Sequence, residues 1–186
     1  MITAASNSRI KRLVQLNQKS KLRRTEDVFL AEGVKMFLEA PRKQLQEVYV
    51  SESFLEKCSC REHLEEVGYE VVSDSVFSKI SDTCTPQGVL CVLKQFHYNI
   101  EEMLRDKAPL FLLLENIQDP GNLGTMLRTG EGAGVSGIIM SRDTVDLYNP
   151  KVIRSTMGSI YRVPFYYADD FAAAVHQVQQ AGVRVY

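Results

Sequence analysis

The sequence has no long hydrophobic run and no excess of charge of either sign. No apolar stretch approaches the ~18 residues that a membrane-spanning helix needs, which excludes an integral helical membrane protein. Of the 186 residues, 45% are hydrophobic and 24% charged, a balance that excludes a disordered, collagen-like or highly charged tail protein. The length therefore allows one large or two small globular domains, at ~100–200 residues per domain.

Cysteine is scarce, and the chain starts without a secretion signal. Its first residues, Met1-Ile-Thr-Ala-Ala, lack the basic-then-apolar layout of a leader, so we expect a cytoplasmic protein whose four cysteines are reduced thiols. Cys58, Cys60 and His63 resemble part of a metal site, but a tetrahedral zinc site needs a fourth ligand. No fourth ligand has suitable spacing, so no metal is predicted.

Several catalytic signatures are also missing. The three histidines, His63, His97 and His176, are scattered and predict no hydrolase triad. No phosphate-binding loop of the type G-x-x-x-x-G-K-[ST] occurs. The glycines between Gly132 and Gly137 match the dinucleotide pattern G-x-G-x-x-G, but they close a predicted helix instead of following a strand. We interpret them as a loop, which argues against a nicotinamide-dependent oxidoreductase.

Positive charge is concentrated near the N-terminus, although the formal net charge is −1. Residues 1–25 contain seven of the 22 basic residues and none of the 23 acidic ones. Such a patch can bind phosphates even in a nearly neutral protein, so a nucleic-acid partner is one explanation. The alternative explanation is a solvated helix face followed by a basic loop, with no nucleic-acid partner. The seven residues are Arg9, Lys11, Arg12, Lys19, Lys21, Arg23 and Arg24.

Apolar strands alternate with helical segments, which predicts an α/β fold in two parts. We expect a small α/β domain over residues 1–98, a linker helix over 99–107, and the first part of a parallel-sheet domain over 108–186. The strand at 109–114 is apolar on both faces, as expected of a buried strand in a parallel sheet. Extended segments are predicted at 28–31, 47–50, 69–72, 88–93, 109–114, 137–140, 161–166 and 183–186.

The stretch from Leu114 to Glu131 is the most informative part of the sequence. An Asp-Pro-Gly turn follows the strand, and Asn122 is predicted to cap a helix over residues 122–133. Arg128 and Glu131 are three residues apart on that helix, so they share a face and can pair. The residues alone leave two readings open: a functional site with Arg128 held for a phosphate, or a capped helix with a surface ion pair.

The segment Asp119-Pro-Gly-Asn-Leu-Gly-x-x-x-Arg128-x-x-Glu131 resembles the first signature of the SpoU (TrmH-type) RNA ribose methyltransferases, in the SPOUT superfamily. Lys151-Val-Ile-Arg-Ser-Thr-Met-Gly158, followed by Val163-Pro164, is similar to the next stretch of that family. The family's catalytic domain is a Rossmann-like parallel sheet that normally contains a trefoil knot. The resemblance therefore implies a SPOUT domain over 108–186.

Two upstream segments extend the resemblance to nearly the whole chain. Phe29-Leu-Ala-Glu-Gly33 and Gln87-Gly-Val-Leu90 are similar to the small substrate-binding domain that precedes the catalytic domain in many members. Family members continue further, with the segments that form the knot and most of the cofactor pocket. Because none of those segments occurs before Tyr186, we expect an incomplete SPOUT domain that is inactive as this chain, with its cofactor-binding residues unassigned.

The resemblance implies transfer of a methyl group from S-adenosylmethionine to a ribose 2′-hydroxyl of rRNA or tRNA. It places Arg128 at the catalytic centre, where a permanently charged guanidinium grips the adjacent phosphate and stabilises the developing alkoxide. Asn122 is expected to position the ribose, and Glu131 to orient Arg128. The predicted RNA-binding residues are Arg9, Lys11, Arg12, Arg23 and Arg24.

The family also implies a homodimer formed through the knotted domain, a mode that would lose part of its interface in this chain. No membrane partner is expected. The alternative hypothesis is a non-catalytic RNA-binding or partner-binding protein derived from the same family.

Overall fold

A computed structural model describes residues 1–186 and divides them into two compact units. The first unit contains residues 1–95 together with 148–154, and the second contains residues 96–147 and 155–186. None of the helices combines the length and the apolar composition needed to cross a membrane.

The first unit is built on a four-stranded mixed sheet with the strand order β1-β4-β2-β3. Strand β4 is antiparallel to β1 and β2, and β3 is parallel to β2. Strand β4 lies between β1 and β2 in the sheet, and Val89 to Leu93 are all buried. This central position explains why its sequence is continuously apolar. The elements in chain order are α1 (Ser8–Gln18), α2 (Ser20–Glu26), β1 (Val28–Glu32), α3 (Val34–Leu38), β2 (Leu45–Ser51), α4 (Glu52–Lys57), α5 (Arg61–Val67), β3 (Glu70–Val72), α6 (Asp74–Ile80) and β4 (Val89–Lys94).

Helix α1 shows how this unit separates its apolar and basic residues. Asn7 caps the helix, with its side-chain oxygen accepting a hydrogen bond of 2.9 Å from the Arg9 amide. Ile10, Leu13 and Leu16 recur at helical spacing and are buried in the core of the unit. The other residues of α1, including the basic ones, are half-buried or exposed.

The second unit is built on a three-stranded parallel sheet with the strand order β5-β6-β7. A parallel sheet after a mixed α/β unit confirms the predicted fold class. The elements in chain order are α7 (Ile100–Met103), β5 (Phe111–Leu114), α8 (Pro120–Ala133), β6 (Gly137–Ser141), α9 (Pro150–Thr156), the short 3-10 helix η1 (Ser159–Tyr161), β7 (Phe165–Ala168) and α10 (Phe171–Gln180). Residues of α9 up to Arg154 cluster with the first unit.

Three predicted segments of the second unit differ from the structure. Strand β5 pairs only with β6, so all of Phe111 to Leu114 are half-buried at a sheet edge instead of buried. Residues 183–186 form no strand, because no neighbouring strand bonds to them after α10. The segment predicted to be extended over 161–166 begins with the end of η1, and its strand starts only at Phe165.

Helix α7 lies in the segment that was predicted to be a linker helix, and it packs into the second unit. Ile100 and Met103 are buried there in a cluster that includes Ile139 and Val178. Residues 100–103 therefore contribute to the core beneath the parallel sheet.

Candidate active site

Helix α8 carries the predicted catalytic residues, and its first turn is fixed by Asp119. The Asp119 carboxylate accepts a hydrogen bond of 2.7 Å from the Asn122 amide, and Pro120 occupies the first turn. The prediction that Asn122 caps this helix is therefore wrong. Proline lacks an N–H and adopts a helical φ, so the helix starts at Pro120, two residues earlier than predicted, and the cap moves to the preceding aspartate.

The buried side of α8 packs closely on the sheet. Leu123 and Leu127 are fully buried, and so is Gly130. A Cβ at Gly130 would meet Leu112 and Val135 at 3.1 Å, which is tighter than ordinary contact. A larger residue at 130 would therefore push the helix away from β5.

The loop before α8 is hydrogen-bonded to the loop after β6. The Asn116 amide donates to the Ser141 hydroxyl at 2.8 Å, and the Ile117 amide donates to the Thr144 hydroxyl at 3.3 Å. The Val145 amide donates to the Ile117 carbonyl at 2.8 Å. Two loops at the carboxyl ends of neighbouring strands thus form one connected structure that leads into α8.

Tyr167 on β7 secures this pair of loops. Its hydroxyl donates to the Val145 carbonyl at 2.7 Å and accepts from the Leu147 amide at 2.9 Å. Burial raises the pKa of Tyr167 well above its ordinary value, so the hydroxyl stays protonated and keeps its donor role. All three strands therefore contribute to holding the loop that leads into α8.

The Arg128 side chain is exposed on α8 and takes part in no hydrogen bond or ion pair. Thr125, one turn earlier on the same face, is also exposed and donates its hydroxyl to the Gly121 carbonyl at 2.8 Å. The Asn122 amide side chain is exposed as well. The structure thus leaves a guanidinium and an amide available to an external ligand on a helix that is otherwise firmly packed.

Glu131 does not hold Arg128, so the predicted orienting role is wrong for this structure. Its carboxylate accepts hydrogen bonds from the Ser159 hydroxyl and from the Arg162 guanidinium. Ser159 is only 1% exposed, whereas Arg128 points to solvent without a partner. Spacing within a helix identified a possible partner, but η1, which packs against α8, supplies a buried hydroxyl and a nearer cation.

Replacing Glu131 by alanine is expected to lower the free energy of unfolding by about 1–3 kcal/mol, because the buried Ser159 hydroxyl loses its acceptor. Urea unfolding of the variant and of a Glu102→Ala control measures this difference. Glu102 is exposed on α7, and its replacement should leave the stability unchanged. Unchanged stability in Glu131→Ala together with lost methyl transfer would instead support the predicted role of orienting Arg128.

In the first unit, two of the predicted RNA-binding residues are engaged with carboxylates. Arg12 bonds to Glu26 at 2.7 Å and to Glu47 at 2.8 Å. Burial alone would lower the pKa of Arg12, but the two carboxylates outweigh that effect and raise it. Arg9 makes an exposed ion pair of 3.1 Å with Glu70, which a phosphate could replace at little cost.

Arg23 is buried, so its prediction as an RNA-binding residue is wrong. Its side chain is 3% exposed, and its guanidinium donates to the Leu16 carbonyl at 2.7 Å and to the Asn17 carbonyl at 3.1 Å. These acceptors lie at the carboxyl end of α1, where a cation stabilises the helix dipole. Charge in the sequence did not distinguish this structural arginine from its exposed neighbours.

Four cations of the N-terminal segment remain exposed and form no ion pair. Lys19, which separates α1 from α2, and Lys21 were not among the predicted RNA-binding residues. The sequence could have indicated them, because no acidic residue lies three or four positions from Lys19 or Lys21 to form an ion pair within a helix. The four exposed residues are Lys11, Lys19, Lys21 and Arg24.

A cavity of about 660 Å³ lies at the carboxyl ends of β5, β6 and β7. Ligands of parallel α/β sheets commonly bind at this edge. The cavity is open and mostly polar: Arg142 is held by Asp169, and Phe171 is the one aromatic side chain. Such a lining does not fit S-adenosylmethionine, whose adenine needs an apolar slot. No residue of this cavity is assigned to the cofactor.

Comparison with protein families gives two matches that together span most of the chain. Residues 109–186 match the model of the SpoU rRNA methylase family. Residues 7–91 match the model of an MRM3-like substrate binding domain. The boundary between the two matches falls at 92–108.

Two bacterial relatives are similar over most of the chain. A 23S rRNA (guanosine(2553)-2′-O)-methyltransferase, RlmP, of Bacillus subtilis is 32% identical over all of the chain, which spans 71% of that protein. An uncharacterized tRNA/rRNA methyltransferase of Synechocystis is 36% identical over 88% of the chain, which spans 60% of it. The chain is thus shorter than both relatives.

Solved structures of methyltransferases have the same fold. An rRNA methyltransferase of Sinorhizobium meliloti with bound AdoMet superposes with a TM-score of 0.79 at 25% identity, covering 95% of the chain and 68% of that protein. An RNA 2′-O ribose methyltransferase superposes with a TM-score of 0.76 at 25% identity, covering 97% of the chain and 70% of that protein.

Proposed function

The chain belongs to the SpoU rRNA methylase family, and from that membership we propose that it transfers a methyl group from S-adenosylmethionine to a ribose 2′-hydroxyl of rRNA or tRNA. The observation that carries the proposal is Arg128, an exposed arginine whose side chain has no partner, on a helix whose first turn is capped by Asp119. S-adenosylmethionine supplies an electrophilic methyl group in this reaction.

Arg128 acts electrostatically in this proposal. An arginine side chain stays protonated in proteins, so it cannot accept the proton of the 2′-hydroxyl. It can bind the phosphate next to the target ribose in bidentate fashion and stabilise negative charge as it develops on the attacking oxygen. Its lack of an internal partner supports this role, because no ion pair has to break before RNA binds.

Asn122 has a positioning role in the proposal. Its side-chain amide is exposed at the first turn of α8, six residues before Arg128. An amide offers both a donor and an acceptor, which suits a ribose hydroxyl. Glu131 has an indirect role, because its bonds to Ser159 and Arg162 hold η1 against α8.

We assign RNA binding to the domain formed by residues 1–98 and catalysis to residues 108–186. The segment 99–107, predicted to be a linker, contains α7, which packs into the second unit. Lys11, Lys19, Lys21 and Arg24 supply the phosphate contacts, joined by Arg9 and Arg12 where RNA displaces their carboxylate partners. RNA is distinguished from DNA by the 2′-hydroxyl itself. The proposal places the protein in the cytoplasm with its RNA substrate. The family implies a homodimer, but this chain would lose part of that interface.

The poor fit of the open cavity to S-adenosylmethionine favours a second candidate function, a non-catalytic RNA-binding protein. Isothermal titration of the chain with S-adenosylmethionine separates the two. Micromolar binding supports the methyltransferase, and no detectable binding in the presence of bound RNA supports the RNA-binding protein.

The reaction itself is tested by incubating the protein with methyl-labelled S-adenosylmethionine and bacterial rRNA or tRNA. We expect label in RNA as 2′-O-methylribose, which resists alkaline cleavage of the adjoining phosphodiester. DNA of the same sequence should take up no label, because it lacks the acceptor hydroxyl. Label found only in bases would contradict the proposed ribose specificity.

A further inference from the structure

Met157 has a backbone conformation that is unusual for its side chain. Three non-glycine residues have positive φ, namely Asp27 at 55°, Asn116 at 53° and Met157 at 50°. Aspartate and asparagine tolerate this left-handed region, because their short polar side chains bond locally. Methionine has no such compensation, so its conformation must be maintained by the surrounding structure.

The residues after Met157 supply that support. Gly158 also has a positive φ, at 97°, and Ser159 is buried. The Ser159 hydroxyl and the Arg162 guanidinium both bond to Glu131 on α8. The turn is therefore tied to the same helix that presents Arg128.

Packing does not explain why a methionine occupies this turn. The Met157 side chain is 44% exposed. Of the other exposed large apolar residues, Met1, Val185 and Tyr186 are at the chain ends, which leaves Leu38 and Leu110 as the internal ones. Neither Leu38 nor Leu110 has a positive φ. Met157 alone combines exposure, an unfavourable backbone and a rigid attachment.

We propose that Met157 is the apolar contact for an unpaired base of the bound RNA, next to the nucleotide whose phosphate Arg128 holds. This inference rests on the proposed function. A thioether is unbranched and polarisable and makes favourable contacts with aromatic rings. Every base offers such a ring once it leaves the stack, and single-stranded RNA is commonly bound through base contacts of this kind.

A base fits this surface better than a protein partner does. A stable protein interface buries more than about 1,000 Å², with several apolar anchors, and one methionine cannot provide that. The same segment contains a cation, because Arg162 follows five residues later and bonds to Glu131 on the helix that presents Arg128. A single apolar side chain on a turn tied to this helix suits one base beside its phosphate.

The test uses binding of two labelled RNAs of about 12 nucleotides, one unstructured single strand and one perfect duplex. Met157→Asn is the informative variant, because asparagine keeps the left-handed turn without the apolar side chain. We expect about fivefold to tenfold weaker binding of the single strand and unchanged binding of the duplex. The melting temperature should rise by about 2 °C, because the turn is relieved of strain. Met157→Leu should bind the single strand within about twofold of the parent protein.

Leu110→Asn is the matched control, because it removes an exposed apolar side chain from the same unit. Equal loss of binding in this control, or full binding by Met157→Asn, would overturn the inference. So would a change in oligomeric state on sedimentation of Met157→Asn, which would identify a second copy as the partner. Failure of the parent protein to bind either RNA would refute the proposed function as well, whereas Arg128-dependent binding that ignores Met157 would refute this inference alone.

Discussion

Replacing Arg128 by alanine is expected to lower the rate of methyl transfer to RNA by about 10²- to 10³-fold, because charge on the attacking oxygen loses its stabilising partner. The melting temperature should stay unchanged, since Arg128 is exposed and has no partner in the protein. Label transfer from methyl-labelled S-adenosylmethionine and a thermal melt of the same preparation measure the two quantities.

Two variants define what such a loss means. Arg128→Lys keeps the charge but loses the planar fork, so it should recover little of the activity if the phosphate is bound in bidentate fashion. Arg105→Ala removes another exposed arginine of the second unit and should leave the rate unchanged. Full activity in Arg128→Ala would remove the observation on which the proposed function depends.

Neutralising Lys19, Lys21 and Arg24 together is expected to weaken RNA binding by about tenfold to a hundredfold at moderate salt. With fewer phosphate contacts, RNA binding releases fewer counterions. The slope of log affinity against log salt should therefore fall in magnitude by about two. Binding isotherms at several salt concentrations measure both effects. The three side chains are exposed and form no ion pair, so the fold should tolerate the change.

A control of equal charge is available in the same unit. Lys57, Arg61 and Lys79 are exposed cations without ion pairs, and replacing them changes the net charge by the same amount. If RNA contacts the N-terminal helices specifically, the control should retain its salt slope. Equal slopes in both triple variants would show that RNA responds only to net charge. Arg23→Ala is not a useful probe of binding, because its buried guanidinium bonds to the end of α1.

The pattern of apolar residues was enough to predict the two-part α/β fold. A continuous apolar run indicates an element buried on both faces, so the strand β4 was predicted. The edge place of β5 could not be predicted in this way. A run of four apolar residues is expected both for an edge strand with one neighbour and for a central strand with two, so the sequence does not distinguish them.

The candidate site was predictable in its residues but not in their partners. Arg128 and Asn122 were found because the motif surrounding them resembles a family signature. The partner of Glu131 was missed because a helix shows only its neighbours three or four residues away, while Ser159 approaches from a distant turn. The burial of Arg23 was missed for a related reason, since composition counts a charge without locating it.

The bond between Glu131 and Ser159 joins residues that are 28 apart in the chain. Contacts of such separation form late in folding, because the intervening segment must first lose its freedom. Helix α8 has its own cap at Asp119, but its attachment to the η1 turn requires β6 and the whole β6–η1 connection to be in place. The arrangement around Arg128 is therefore a product of completed folding of the second unit, and a nascent or partly unfolded chain lacks the assembled site.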